Sequence, residues 1–251
     1  MPQVKLNVKL LQVTQNALPL LYSAYRQCYS AKFAGDILDE NKDNPEKQTK
    51  FIRKMMKSGH ESPLEHVKFT FALEGISRVL THQLVRHRLA SYSQQSQRYV
   101  KKANFDYIIP ASIEEDKILK AEFVKITNEI QASYNRMIER FKEKGIVGEE
   151  ANQDARFILP QAIETKIVVT MNCRELLHFF EERCCMRAQW EIRNLANKML
   201  NICKQELPAV FSHAGPKCIR LGYCPEGREL ICGRYPTREE VTRNEVTGST
   251  I

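Results

Sequence analysis

The chain has 251 residues, 43% hydrophobic and 27% charged, with 38 basic against 30 acidic side chains and a net charge of +8. That length can bury a core as one large domain or two small ones, and the composition is ordinary for a globular protein. Apolar runs such as Ile167 to Met171 are far too short to span a bilayer, and MPQVKLNVKLLQV lacks the apolar block and cleavage site of a signal peptide, so a cytoplasmic protein is expected. The basic balance suits anionic substrates, and also RNA. Without a signal peptide, the eight cysteines read as free thiols or metal ligands rather than disulfides.

In chain order, residues 4–13 read as an opening strand and 18–29 as a helix with apolar residues at 18, 21, 22 and 25. Asn44 is placed to cap a helix that begins at Pro45, buries Phe51, Ile52, Met55 and Met56, and stops at Gly59. HESPLEH follows at 60–66. Its His60, Glu65 and His66 invite a metal reading, but Pro63 argues against one ligand-bearing helix across them, and the spacing is not that of a zinc helix. Phe69, Phe71 and Leu73 alternate with polar neighbours as a half-buried strand that Gly75 is expected to break. A helix from Ile76 to Val85 comes next.

Arg86–Tyr99, RHRLASYSQQSQRY, holds three arginines, a histidine, three serines and three glutamines with no acid. It has neither the period-two alternation of a core strand nor the apolar stripe of a core helix. Its donors suit phosphate oxygens and the polar edge of a base. If the preceding helix continued, Arg86 and Arg88 would point to opposite sides and serve different ligands.

Further on, 113–144 reads as one long amphipathic helix or a pair, and Arg156 as part of a short helix before Pro160. TKIVVTM, 165–171, is β-branched and strand-like. Asn172 is a natural cap for a helix bearing Arg174 and His178 four apart on one face, followed by Arg183. A core helix from Trp190 ends before Pro208. In the tail, His213, Cys218, Cys224 and Cys232 could supply one imidazole and three thiolates to zinc. Irregular spacing and the lack of CxxC favour free thiols, so no metal is expected there. From Thr237 the chain is polar and expected to be mobile.

R-H-R, seven residues, then S is the signature of flavin-dependent thymidylate synthases, and Arg86, His87, Arg88 and Ser96 match it in place. Gln83, Arg98 and Tyr99 also resemble that family, and the likeness spans about residues 10–212. The resemblance implies an α+β fold, with mixed helices packed on a small antiparallel sheet, as a domain over 1–212 with a Cys-rich extension over 213–251. It implies a homotetramer with active sites shared between subunits, FAD as cofactor, dUMP as substrate, and methylenetetrahydrofolate and NADPH as co-substrates. By position it assigns Ser62, Arg86, His87, Arg88, Gln94, Asn172, Arg174 and His178 to the flavin, and His60 to the folate side. It assigns Gln83, Arg86, Gln94, Gln95, Ser96, Gln97, Arg98, Arg156 and Arg183 to the nucleotide, with Arg156 reaching a neighbouring subunit's nucleotide. Arg183 is the catalytic candidate. Three positions depart from the family pattern: Cys28 stands near a usual small hydroxyl residue, Gln94 at a usual glutamate, and His178 at a usual asparagine.

Uracil C5 is a poor nucleophile until charge is drawn into the ring, and no cysteine lies in Arg86–Tyr99 to attack C6. An arginine favouring the N3 anion answers that need electrostatically. No glycine-rich fingerprint is present, so neither flavin nor NADPH is expected on a Rossmann unit. Two other classes stay in view. An RNA-binding module would need aromatic stacking platforms or a recognised domain, and neither is evident. A family member that binds flavin or nucleotide without turnover would lack dUMP-dependent flavin oxidation.

Overall fold

The structure, a computed structural model, describes residues 4–40 and 44–247. The elements are β1 (Asn7–Val13), α1 (Ala17–Gln27), α2 (Ala34–Glu40), α3 (Pro45–Lys57), β2 (Lys68–Ser77), α4 (Arg78–Leu84) and β3 (Ala90–Gln94), then α5 (Ala111–Glu114), α6 (Lys117–Glu143) and α7 (Gly148–Ala155). After these come β4 (Glu164–Asn172), α8 (Cys173–Arg183), α9 (Trp190–Glu206), α10 (Pro208–Phe211), α11 (Lys217–Leu221) and α12 (Arg238–Thr247). The strands form one sheet in the order β1-β2-β4-β3. β2 runs antiparallel to both its neighbours, β1 and β4: Thr14 N–H donates to Lys68 C=O at 3.0 Å, and Cys173 N–H to Val67 C=O at 2.9 Å. The fold is α+β, as the resemblance implies.

Chain contacts define two compact units. One holds residues up to 9, 72–86 and 92–169; the other holds 10–71, 87–91 and 170 onward. In the first, Tyr134 and Ile138 of α6 bury against Ala151 and Ala155 of α7, with Phe141 and Ile158 at the margin. In the second, Phe69 meets Phe211 edge-on at 5.7 Å, and Phe211 meets Phe180 at 6.0 Å. Edge-to-face pairs of this kind add about 0.5–1.5 kcal/mol beyond their buried area.

Local chemistry explains the boundaries. Asn44 Oδ1 accepts from Lys47 N–H at 3.1 Å, with Pro45 in the first helical turn of α3. Gly59 at φ +81° lets His60 N–H reach back to Met55 C=O at 3.1 Å, closing the helix end. Only Ile52 of the expected apolar face is fully buried; Phe51, Met55 and Met56 are half-covered.

Several expectations change. Gly75 does not break β2; the strand continues to Ser77. A Cβ there would lie 2.1 Å from the Lys5 carbonyl oxygen at φ +65°, so the glycine lets β2 kink beside the neighbouring backbone. Ile76 therefore belongs to the strand, and α4 starts after Ser77, whose Oγ accepts from Leu80 N–H at 3.1 Å. Residues 90–94 form a strand despite their polarity, because β3 lies at the sheet edge and pairs through its backbone. The tail beyond Thr237 contains a helix. Thr237 Oγ1 accepts from Glu240 N–H (3.2 Å) and Glu240 Oε2 accepts from Thr237 N–H (2.7 Å), a capping box.

Candidate active site

In the unit built on α8, sequence places a cap, then four polar side chains over three turns. Asn172 Oδ1 accepts from Glu175 N–H at 2.8 Å, fixing where α8 starts. Arg174 points outward to Glu65 (2.5 Å) and Glu61 (3.9 Å). Glu175 turns inward and is 6% exposed. Its Oε1 lies 3.5 Å from Nδ1 of His87, the central residue of the RHR motif, which is itself 5% exposed. On the other side of the ring, Arg183 Nε–H donates to His87 Nε2 at 3.1 Å. His178 and Phe179 complete the surround, with ring centroids 5.7 and 4.9 Å from the imidazole.

This surround decides the charge of His87. Burial, then the Arg183 cation, then His178 push its pKa down to about 4, with Glu182 pulling weakly upward. The ring is neutral at neutral pH, so the contact with Glu175 is dipolar rather than an ion pair. A neutral ring that accepts at Nε2 carries its proton on Nδ1, the nitrogen facing Glu175. Burial also raises the Glu175 carboxyl above its usual range.

Next to this group, the same unit contains a cavity of about 1150 Å³. Its walls carry Arg53, Lys57, Arg174, Arg220, His178 and His213 together with Glu61, Glu175 and Glu181, and Met56, Leu89, Val210 and Ile219 are among the apolar parts. That is at or beyond the upper end of the ~300–1,000 Å³ typical of ligand pockets. Arg53 and Lys57 offer donors beside apolar walls, while Arg174 is paired with Glu65 and Glu61 and Arg220 with Glu181, a mixed lining that suits a polar ligand with a flat ring system. Of the residues expected at the flavin, Arg174 and His178 line this cavity. His87 sits behind His178, Asn172 serves as the helix cap, and Ser62 and Arg88 are exposed. His60 is held elsewhere in the unit, with Nδ1 3.0 Å from the Tyr29 hydroxyl and its ring edge-on to Tyr25 at 5.4 Å. Cys28 is exposed at the end of α1.

The other unit carries the rest of the motif. Arg86 is exposed just after α4, and Gln83 is half-buried on it. Ser96 Oγ accepts from Arg98 N–H at 3.1 Å, so it shapes the turn as well as offering a hydroxyl. The Arg98 guanidinium pairs with Glu149 and lies over the Tyr99 ring at 5.8 Å. Gln94 Nε2–H donates to Thr165 Oγ1 at 3.4 Å, and Gln95 Oε1 accepts from Lys102 Nζ at 2.6 Å. Gln97 is half-buried. Lys102 is only 9% exposed, and burial lowers its pKa despite the opposing pull of Glu164. Asn152 Nδ2 donates to Arg98 C=O at 2.9 Å and anchors this loop to α7. Arg156 is near enough to Arg78 for like charge, after burial, to lower the Arg78 pKa. Sequence reading missed Glu175, Lys102, Arg78 and Arg53. Nothing in spacing marks them, because each gains meaning from a partner remote in sequence or from a cavity wall.

The family described as thymidylate synthase complementing protein matches residues 9–209. A flavin-dependent thymidylate synthase of Nitratidesulfovibrio vulgaris is 54% identical over 244 residues, covering 96% of this chain and 100% of that protein. One from Clostridium tetani is 47% identical over 242 residues, 93% and 96% of the two chains. One from Pyrococcus abyssi is 54% identical over 181 residues, 69% and 70% of the two. With RHR-x7-S in place and a family match over residues 9–209, the chain belongs to the flavin-dependent thymidylate synthase family.

Proposed function

We propose that this chain converts dUMP to dTMP by reductive methylation at C5, with FAD as cofactor, methylenetetrahydrofolate as carbon donor and NADPH as reductant. The observation that carries the reading is the contact between the motif histidine His87 and Arg183 of α8. Because His87 accepts at Nε2, it engages Arg183 Nε and leaves the two terminal amino groups as donors for the pyrimidine. A fixed guanidinium facing N3 and O4 stabilises the ring anion that makes C5 nucleophilic. Glu175 holds the imidazole from behind, so the ring acts as a neutral strut rather than a second cation.

Bound FAD supplies the reducing equivalents. The size of the 1150 Å³ cavity and the hydrogen-bond donors on its wall, Arg53, Lys57, Arg174 and His178 among them, support a role in holding that dinucleotide. His60, Ser62 and Arg88 are kept for the folate and flavin edges on the motif match. For the nucleotide we assign Gln83, Arg86, Gln94, Gln95, Ser96, Gln97, Arg98 and Arg156, with charge-assisted bonds from Arg86 and Arg98 to phosphate. Assembly into a homotetramer is supported by Ile118 and Phe157, which are 81% and 83% exposed. Phe157 follows Arg156 directly, which suits an arginine reaching a neighbour's nucleotide. Residues 213–251 are read as an extension, since the family match ends at 209. Among the described residues no helix is long and apolar enough to cross a membrane, and a cytoplasmic location completes the proposal.

The test is visible absorbance of the purified chain, followed by tritium release from C5-labelled dUMP with methylenetetrahydrofolate and NADPH. A yellow protein that releases tritium is expected. A yellow protein without release would identify a non-catalytic member, and a chain that stays colourless with added FAD would overturn the reading.

A further inference from the structure

The methylation chemistry leaves one cluster of reactive side chains unused. Cys185 follows the last turn of α8, Cys218 lies in α11, and Cys224 and Cys232 lie in the loops beyond it. All four line one cavity of about 230 Å³, whose wall also carries Arg183 at the end of α8, and none is in a disulfide. Its walls are pinned at several points. Glu181 pairs with Arg220, Glu182 with Lys217, and Arg187 with Glu226, so the tail is tied to the end of α8 on both sides of Cys185. Ala188 N–H donates to Cys185 C=O at 3.0 Å, and Gly222 N–H to Cys218 C=O at 2.9 Å with Gly222 at φ +74°. Cys224 N–H donates to Pro236 C=O at 2.7 Å. His213, the imidazole that sequence groups with these thiols, lines the 1150 Å³ cavity instead.

We infer that this smaller cavity is a structural zinc site whose ligands are Cys185, Cys218, Cys224 and Cys232. Four thiolates form a donor set that selects zinc in tetrahedral geometry. The four come from an α8 end, a short helix and two loops, so the ion would join tail segments with little apolar core to the well-packed α8. Among the described residues no group of three or more His, Cys, Asp or Glu side chains is placed so that it could hold a metal ion. Metal entry therefore requires the thiols to rotate into the cavity. Cys232 is exposed at its mouth, which gives the ion a path in. Cys184 also lines the cavity but is core packing: it is 4% exposed and burial pushes its thiol up to about 12. Cys224, Cys185 and Cys232 are all near enough to Cys218 to interact with it electrostatically, and a thiol must ionise to ligate a dication. Binding therefore releases protons as the thiols ionise.

The test uses the full-length chain, reduced and stripped with a chelator, titrated anaerobically with Co²⁺. One Co²⁺ per chain is expected, with thiolate charge-transfer absorption and tetrahedral d–d bands in the red, clear of flavin absorption. Zn²⁺ should then bleach those bands. Cys185→Ser should lose the tetrahedral spectrum while His213→Ala retains it. Thiol labelling of the unmutated chain with and without Zn²⁺ gives a readout independent of any variant's folding, and four thiols should become protected. Absence of stoichiometric Co²⁺ uptake, an unchanged spectrum in Cys185→Ser, or equal labelling with and without Zn²⁺ would each overturn the site. Iron with acid-labile sulfide in the freshly isolated chain would overturn the zinc assignment. None of these readouts depends on dUMP or flavin, so the site and the methylation reading fail separately.

Discussion

At the scale of single residues, the pair His87 and Arg183 governs the expected chemistry. Their side chains meet across 96 positions of sequence. Arg183→Ala should lower tritium release by about 10²–10³-fold, the usual cost of removing one preorganised donor. Far-UV circular dichroism and flavin absorbance should be unchanged; near-normal turnover would remove Arg183 from the reacting ring. His87 also makes stability depend on pH. Its folded pKa, about 4, is below the ordinary value of 6.5, so its contribution is present above pH 6.5 and is lost as pH falls toward 4. The size is on the order of 2–3 kcal/mol. Glu175, with a raised carboxyl pKa, works in the opposite sense, so the comparison must be made with a His87→Gln variant. That variant should lose less stability than the parent between pH 6.5 and 4 in urea titrations. Parallel curves would show that the imidazole is not what titrates. The sequence identified His87 and Arg183 individually through the motif match. Their contact, and the role of Glu175, depend on which face of α8 turns inward, and that is set by packing around Phe179 and Phe180.

Among the elements, β2 is the most exacting. Gly75 sits at φ +65° with the Lys5 carbonyl where a Cβ would go. Gly75→Ala should therefore cost about 2 kcal/mol or more, from αL strain and a backbone clash together. The midpoint of urea unfolding should drop with an unchanged slope; a midpoint within error of the parent would mean that the strand shifts to make room. The strands β1, β2 and β4, and helices α3, α8 and α9, were legible because their alternation, caps and stop signals act locally. β3 was not, because an edge strand takes its order from β4 through backbone bonds and needs no apolar side chains. Gly75 was misread because a glycine that ends a strand and one that kinks it have the same sequence signature. α12 was missed although Thr237 and Glu240 spell its capping box, the polar composition having outweighed a three-residue spacing.

For the molecule as a whole, assembly is the open quantity. Light scattering should give about four times the 29.1 kDa chain mass. Phe157→Glu should shift the species toward smaller assemblies, because a charge is costly to bury in an apolar contact. A parent that scatters as a monomer would count against shared active sites. Within the unit that contains it, the tail is held to α8 by pairs on largely accessible side chains, each worth roughly 0–1 kcal/mol and screened by salt. Ionic strength thereby becomes a handle on proteolysis: in a metal-free chain, raising salt should loosen the segment around Cys224 and Cys232 and expose it to cleavage, while the rest of the chain stays whole. Coordination bonds are insensitive to that screening, so the persistence of an uncut tail in salt would report how the chain keeps its own end in place.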